Sequence, residues 1–212
     1  MPTRRAPHTY EGWNHETLGS ELIAAFSAVD AIEPGFSAHW MPFVRKLEAD
    51  RWYSIDLLLA LGMAAEARFG AEVLRAIGRR IFEVSHAEQF RRVARSVADV
   101  VYGIDGMYRA VNRGDTIGGW TVLGFDATHA RLEKSTPHQC HIEEGILISA
   151  CNALGVDVEV RQERCVRDGD DSCVMVVTPA SATDRWTGER PPAGAITEPA
   201  AEESAPVPRR TG

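Results

Sequence analysis

The sequence predicts an α+β fold in which five or so N-terminal helices pack on a small antiparallel sheet. Two observations support this prediction. Apolar residues recur at helical spacings of three and four through the first half of the chain. From Gly114 onward the pattern changes to short alternating runs that are typical of strands. The second half is interpreted as a β-β-α-β-β unit, so helices and strands are segregated along the chain.

The helical half is divided by clear stop signals. The first helix begins at Ser20 and stops at Pro34-Gly35, and a second is predicted after an N-cap at Ser37. A third begins at the predicted cap Ser54 and ends near Gly70. Glycines are expected to interrupt the last helix of this half, so its final turns are predicted as a separate piece. The remaining predicted helices are Val73–Phe82, Ala87–Val101 and, beyond Gly103 and Gly106, Met107–Val111.

The sheet-forming half combines four strands with one helix. Gly118-Gly119 leads into the first strand, and Pro137 follows the end of the second. In the third strand valines alternate with charged residues, which is the pattern of a strand with one buried face. The acidic segment 167–171 is predicted as a hairpin turn. The predicted elements are strands Trp120–Phe125, His129–Lys134, Val156–Arg161 and Cys173–Val177, with a helix Ile142–Leu154 between the second and third.

One folded domain with polar ends is predicted for the 212 residues. Residues 1–19 have no clear apolar period and are predicted as a loose N-terminal arm, and the domain itself spans residues 20–179. Residues 180–212 are rich in proline and alanine and are predicted to be a disordered tail, because this composition buries too little apolar surface. Trp186 is the residue of this tail that is a candidate for docking back on the domain.

Charge and hydropathy narrow the class of partner. The net charge of −7 argues against a nucleic-acid or anionic-membrane partner. The N-terminus lacks the apolar core of an export signal, and the longest apolar run, Leu57–Ala65, is too short to span a bilayer. A cytoplasmic location is therefore predicted. Thiols stay reduced in that compartment, so the four cysteines favour a metal site, catalysis or plain burial over disulfides.

Three of the cysteines are predicted to meet at one corner of the fold. Cys140 precedes the predicted helix, Cys165 ends a strand-like run and Cys173 begins the next strand. Strand pairing would bring the last two together, and packing of the helix over the hairpin would add the first. Soft thiolates suit zinc, which takes four ligands in a tetrahedron. Candidates for the fourth ligand are Gln162, Glu163, His141 and His138.

Two other interpretations of this corner stay open. Free cysteine is among the most buried residue types, so the three thiols could equally be small core residues. A reactive or redox pair is the third interpretation, although the acidic turn beside Cys173 disfavours a thiolate. Cys151 falls inside the predicted helix and is interpreted as a core residue.

The segment from Pro137 to Val177 resembles the 4-vinyl reductase domain. The resemblance rests on a cysteine before a helix and on E-R-C-x7-C after a strand, and it covers about residues 20–178, most strongly at the end. This family includes the sensory domains of phenol- and toluene-responsive transcription activators and an accessory protein of bacteriochlorophyll synthesis. Its fold is shared with haem–nitric-oxide-binding domains and with subunits of the TRAPP trafficking complex. The resemblance thus implies a ligand-binding domain.

The resemblance also implies particular site residues. In the aromatic sensors three cysteines and a glutamate hold zinc. The cysteines correspond to the three of the predicted corner, whereas the glutamate position is occupied by Gln162 in this chain. A tryptophan and a histidine hold the phenol in those sensors, and Trp120 and His86 are the nearest matches here. Further aromatic residues predicted to line an apolar pocket are Tyr102, Tyr108 and Phe125.

Three functions follow from this interpretation. The first is a small-molecule sensor for an apolar or aromatic ligand, acting as a homodimer or through a signalling partner protein. The second is an accessory protein or enzyme of tetrapyrrole or other hydrophobic biosynthesis, although no convincing acid–base pair is visible in the sequence. The third is a scaffold subunit without a pocket. Haem sensing is a lesser option, in which His86 would be an axial ligand.

Overall fold

The helices occupy the first part of the chain, as predicted. The computed structural model describes residues 14–187. It confirms the α+β class, with helices packed on a small antiparallel sheet. The helices are α1 Gly19–Ile32, α2 Met41–Val44, α3 Asp56–Phe69, α4 Ala71–Ile81, α5 Ala87–Val93, α6 Val97–Val111 and α7 Cys140–Asn152.

Four of the strands form the predicted antiparallel sheet. Its order is β4-β5-β7-β6, and α7 connects β5 to β6. Three further short strands form a second sheet of order β2-β1-β3, which the sequence did not predict because strands of two or three residues show no period. The strands are β1 Glu16–Leu18, β2 Trp52–Ser54, β3 Asn112–Arg113, β4 Trp120–Phe125, β5 Ala130–Lys134, β6 Val158–Arg164 and β7 Cys173–Pro179.

The last helix of the helical half is continuous where an interruption was predicted. α6 passes through Gly103 and Gly106 without a break. The chain breaks earlier, before Val97, because Ser96 and Asp99 form a capping box in which each side chain binds the other residue's backbone N–H. The prediction of one helix from Ala87 to Val101 is therefore wrong. Helix α5 ends at Val93, and α6 begins four residues later.

The second predicted helix is reduced to the single turn of α2. Ser37 does not cap it, because its hydroxyl donates to Asp30 Oδ1 at 3.2 Å and so ties the segment back to α1. Pro42 stands in the first turn of α2, where its missing N–H costs nothing.

Both ends of the predicted domain are extended by packed residues. Glu16–Leu18 pairs with β2 and β3, and the Thr17 side chain is fully buried and donates to the Val111 carbonyl at 3.1 Å. Trp186 is 2% exposed, stacks on Phe125 with a centroid separation of 5.5 Å and confirms the expected docking. The rest of the predicted arm, residues 1–13, and of the predicted tail, residues 188–212, lies outside the described residues.

Helices α4 and α7 cross in close contact because each has a glycine at the crossing. A Cβ atom at Gly78 would overlap the carbonyl oxygen of Ile142, and one at Gly145 would overlap that of Arg75. Both neighbours are backbone atoms that cannot move without moving the whole helix. This contact holds α7, and with it Cys140 in its first turn, against the helical half.

We expect Gly78→Ala to lower the free energy of unfolding by about 2 kcal/mol or more, because the added methyl group forces the two helices apart. Gly124→Ala is the matched control, since a Cβ at that position would meet nothing within 4 Å. Urea denaturation of both variants measures the difference. Equal stabilities would contradict the proposed crossing.

Candidate metal centre and inner cleft

Three cysteine side chains converge at the end of the main sheet, as the sequence predicted. The sulfur of Cys140 lies 3.8 Å from that of Cys165 and 3.6 Å from that of Cys173, and all three thiols are buried. α7 presents the first cysteine from its N-terminal turn, and β7 presents the third from its first residue. We call these three residues the cysteine corner.

The spacing of the sulfurs fits a tetrahedral metal site. A zinc–sulfur bond of about 2.3 Å and a tetrahedral angle place two ligand sulfurs roughly 3.8 Å apart. The two shortest separations at the corner, 3.6 and 3.8 Å, agree with this value. They are far longer than the roughly 2 Å of a disulfide. The three atoms all lie within 4.8 Å of one another, so one ion can reach all of them.

The surroundings of the corner shift the pKa values of the three cysteines in different directions. The hydrogen bond from Cys140, together with the Val166 N–H and the charge of Lys134, lowers the pKa of Cys173 despite its burial. That same hydrogen bond, followed by burial, raises the pKa of Cys140, and burial raises the pKa of Cys165. A bound cation would reverse the two upward shifts, because it stabilises every thiolate that it contacts.

Two candidates for the fourth ligand lie beside the corner. Gln162 and His141 line the same cleft as Cys140 and Cys165, and this cleft holds about 930 Å³ of empty space. The amide nitrogen of Gln162 is 3.1 Å from Nδ1 of His141. Both side chains also contact the buried carboxylate of Glu144, which is itself paired with an arginine of α4.

The other two candidates are engaged elsewhere. Glu163 of β6 pairs with Arg131 of β5 across the intervening strand β7, and this pair lowers the pKa of the glutamate. His138 points its Nδ1 atom at Glu143, 3.5 Å away. Among the described residues, the group of metal-binding atoms at the corner consists of the three cysteines, so it contains neither of these side chains and not His141 either.

A second cleft lies between the helical half and the sheet. It measures about 400 Å³ when the space open to solvent is included, and we call it the inner cleft. Its walls combine apolar side chains from α6 and α7 with a cluster of buried polar groups. Its lining residues are Glu21, His86, Ile104, Met107, Tyr108, Val111, Asn112, Trp120, His138, Glu143 and Ile146.

The inner cleft continues in two directions. One continuation, of about 480 Å³, shares Glu21, His138 and Ile146 with it and runs between α1, α3, α4 and α7. The other is a wider groove of about 930 Å³ between α5 and α6, which shares His86 and Met107 with it. We call the latter the outer groove. His86 and Met107 form the wall between the outer groove and the inner cleft, so movement of that wall would admit a ligand.

The predicted pocket residues divide into two groups. His86, Tyr108 and Trp120 all line the inner cleft, and the Tyr108 hydroxyl donates to the Ile117 carbonyl at 2.9 Å. Tyr102 and Phe125 lie elsewhere: their rings contact each other at 5.8 Å, and Phe125 is covered by the docked tryptophan near the C-terminus. The structure therefore brings three of the five together, and the periodicity of α6 could not show which face of that helix Tyr102 occupies.

Several polar residues of the inner cleft were not predicted from the sequence. Glu21 lies in a helix whose other inward residues are apolar, and Asn112 follows the end of α6. Glu143 lies in the first turn of α7, where it is buried and pairs with Lys134. Glu21 and Glu143 could have been found from the sequence, because a charged residue on the apolar face of a helix is costly to bury unless it has a partner.

His86 reaches the inner cleft from a π-helical turn, Phe82–His86, between α4 and α5. Such turns insert one residue into a helix and are frequent at functional sites. Nε2 of His86 lies 3.3 Å from Oε2 of Glu21, and both side chains are buried. Burial opposes both charges, but the mutual attraction outweighs it: the pKa of His86 is raised and that of Glu21 is lowered.

This pair predicts a pH dependence of stability. Because folding raises the pKa of the histidine, its contribution to stability is complete below the unfolded-state pKa of about 6.5. This contribution is lost as the pH rises through the folded-state pKa. A lowered glutamate pKa stabilises the fold above about 4.5 and is lost on acidification. Wild type and His86→Gln should therefore differ most between pH 4.5 and 6.5, by on the order of 1 kcal/mol more than at pH 9.

Urea denaturation across this pH range measures the difference. His39→Gln is the control, because His39 is exposed. A constant gap between wild type and His86→Gln at all pH values would show that the pair is not ionised in the folded protein.

Comparison with known proteins finds a similar fold in solved structures of H-NOX domains. No family model and no curated protein matches the chain. An H-NOX variant from S. oneidensis in the Fe(II) state is 15% identical with a TM-score of 0.62, covering 80% of this chain and 99% of that one. An Fe(II) unliganded variant from K. algicida is 13% identical with a TM-score of 0.58, covering 77% and 97%. A third structure concerns haem distortion in H-NOX proteins and is 12% identical, with a TM-score of 0.56 and 79% and 97% coverage.

Identities this low show a common fold and nothing further. The predicted relation to haem–nitric-oxide-binding folds is confirmed, whereas membership of the 4-vinyl reductase family stays a prediction. None of the helices described between residues 14 and 187 has the length and apolar character that a bilayer-spanning helix requires.

The residues of the clefts do not fit haem. A haem needs an axial ligand with a free lone pair, and its two carboxylates need cationic partners. Nε2 of His86 is already bound to Glu21. The linings of the inner cleft, its apolar continuation and the outer groove contain no arginine or lysine among the described residues, while Glu21 and Glu143 add negative charge. Haem is therefore not part of the function that we derive for this chain.

Proposed function

We propose that this protein is a small-molecule sensor domain that holds a compact apolar or aromatic ligand in the inner cleft. The observation that supports this proposal is the inner cleft itself, in which apolar walls enclose a few convergent polar groups. The low-identity similarity to H-NOX structures, one of which is an Fe(II)NO complex, is consistent with a fold that surrounds a ligand. The resemblance to aromatic sensors of the 4-vinyl reductase family agrees with the positions of Trp120 and His86.

The cysteine corner supports this function structurally in our proposal. Zinc held by the three thiolates would connect α7 to the β6–β7 hairpin, and α7 also forms one wall of the inner cleft through Ile146. Gln162 remains our candidate for the fourth ligand, with His141 as the chemically better donor. When bound, the metal would supply rigidity and charge to this corner.

Signalling would follow from the wall that the inner cleft shares with the outer groove. His86 and Met107 face both spaces, so a ligand that contacts them inside also alters the surface outside. A ligand with different affinity for two arrangements of this wall shifts their populations. A partner protein would read the surface of α5 and α6, where Val93 is 59% exposed. The predicted homodimer stays a further possibility for this partner.

Isothermal titration calorimetry with phenol tests the proposal. We expect binding to wild type and at least tenfold weaker binding to Met107→Trp, because the larger side chain fills the inner cleft. Met63→Trp is the matched control, since Met63 is 56% exposed and lies on the outer face of α3. Absence of binding at millimolar phenol, or equal affinity in both variants, would contradict the proposed site.

A further inference from the structure

A buried carboxylate lies beside the cysteine corner. Glu144 follows Cys140 by one turn of α7 and is 1% exposed. Side chains from α4, α7 and β6 converge on it. Arg75 Nε donates to Oε2 at 2.6 Å, Gln162 Nε2 donates to Oε1 at 2.5 Å, and Nδ1 of His141 lies 3.0 Å from Oε2. A connected network of this kind fixes the positions of all four side chains.

These contacts argue against Glu144 as a metal ligand. Oε1 accepts from Gln162 and Oε2 accepts from Arg75, so both oxygens are already engaged. The metal-binding group at the corner contains three cysteines and no carboxylate among residues 14–187. At many metal sites, however, a carboxylate that does not touch the metal holds one of the ligands in place.

The contact with Glu144 determines which end of the Gln162 amide is available. A carboxylate only accepts hydrogen bonds, so the amide nitrogen is the atom that faces it. The amide oxygen is at the other end, and none of the described residues donates to it. Gln162 lines the same cleft as Cys140 and Cys165. Of the two ends of this amide, only the oxygen has lone pairs with which to bind a metal ion.

We propose that Glu144 is a positioning residue of the cysteine corner, which holds the Gln162 amide by its nitrogen and so leaves the amide oxygen as the fourth ligand of the metal. This inference deepens the proposed function and rests on the zinc site that belongs to it. It also explains how a weak ligand suffices. A side chain that is already fixed loses little conformational freedom when the metal binds.

Zinc affinity, measured by competition with a chelator of known affinity, tests the inference. We expect Glu144→Leu and Gln162→Leu each to weaken zinc binding by about tenfold or more. The double variant should be at most about threefold weaker than either single variant, because both changes act on the same ligand. Glu72→Gln is the matched control. Glu72 also pairs with Arg75, but its side chain is 82% exposed, so zinc affinity should stay at the wild-type value.

Exchange of the two residues distinguishes positioning from a structural role of Glu144. Glu144→Gln combined with Gln162→Glu keeps a hydrogen bond between the two positions with donor and acceptor reversed. It also places a carboxylate oxygen where the amide oxygen was, so zinc affinity should return to within about threefold of wild type or exceed it. An exchange variant that binds zinc as weakly as Glu144→Leu would contradict the proposed role.

The outcomes separate this inference from the site on which it rests. If wild type binds one zinc and Gln162→Leu binds it equally well, the cysteine corner stands and the role of Glu144 is refuted. If wild type binds no zinc, the site fails and the inference fails with it. Should Glu144→Leu not fold, Gln162→Leu and the exchange variant decide the question. Phenol binding in the inner cleft tests the sensor proposal separately.

Discussion

Replacement of Cys165 by serine is expected to abolish stoichiometric zinc binding and to destabilise the fold by several kcal/mol. Three cysteine sulfurs spaced for a tetrahedron form the corner, and a site that loses one of them holds zinc far more weakly. Because the metal would bind only the folded chain, its binding free energy contributes directly to folding. Metal analysis of the purified variant, together with thermal unfolding, measures both effects.

Cys151→Ser is the matched control. Cys151 is also buried in α7, and burial raises the pKa of its thiol to about 12, but it is outside the corner. A serine there buries a hydroxyl group at a cost of about 1–3 kcal/mol and should leave one zinc per chain. Equal zinc content in wild type, Cys151→Ser and Cys165→Ser would show that the three thiols are core residues, which is the alternative that the sequence left open.

Replacement of Lys134 by methionine is expected to destabilise the protein by about 3–5 kcal/mol, because it leaves a buried carboxylate without its cation. Lys134 is 2% exposed, forms an ion pair with Glu143 and donates to the His138 carbonyl at 2.7 Å. Its charge also favours the thiolates of Cys140 and Cys173. The variant should therefore bind zinc more weakly as well as unfold at lower urea concentration.

A double replacement distinguishes the ion pair from a simple packing effect. Lys134→Met with Glu143→Leu removes both charges, so it should recover much of the stability that the single variant loses. Chemical denaturation of the wild type, both single variants and the double variant completes the cycle. Additive losses would show that the two side chains do not interact in the folded protein.

The cysteine corner was predictable because its geometry follows from local elements. Cys165 and Cys173 flank a turn between paired strands, and Cys140 begins the helix that precedes them. A hairpin brings its two ends together whatever the rest of the chain does. The α+β class was predictable for a similar reason, since the change from helical to alternating periodicity at Gly114 marks the boundary between helices and sheet.

The polar part of the inner cleft was not predictable, because it depends on contacts between distant segments. Glu21 and His86 are separated by 65 residues, and nothing local indicates that one helix charge will meet the other. The π-helical turn that directs His86 inward leaves the helical period of the sequence almost unchanged. The break before Val97 was missed because Gly103 and Gly106 are a more obvious signal for the end of a helix than the capping box of Ser96 and Asp99.

A crystal structure of the protein soaked with 4-bromophenol tests the central claim most directly, because anomalous scattering locates the bromine atom unambiguously. We predict one bromine position inside the inner cleft, between Trp120 and Met107, with the phenol hydroxyl turned toward His138 or Asn112. Bromine found only in the outer groove, or nowhere in the molecule, would contradict the claim that this fold encloses a small aromatic ligand.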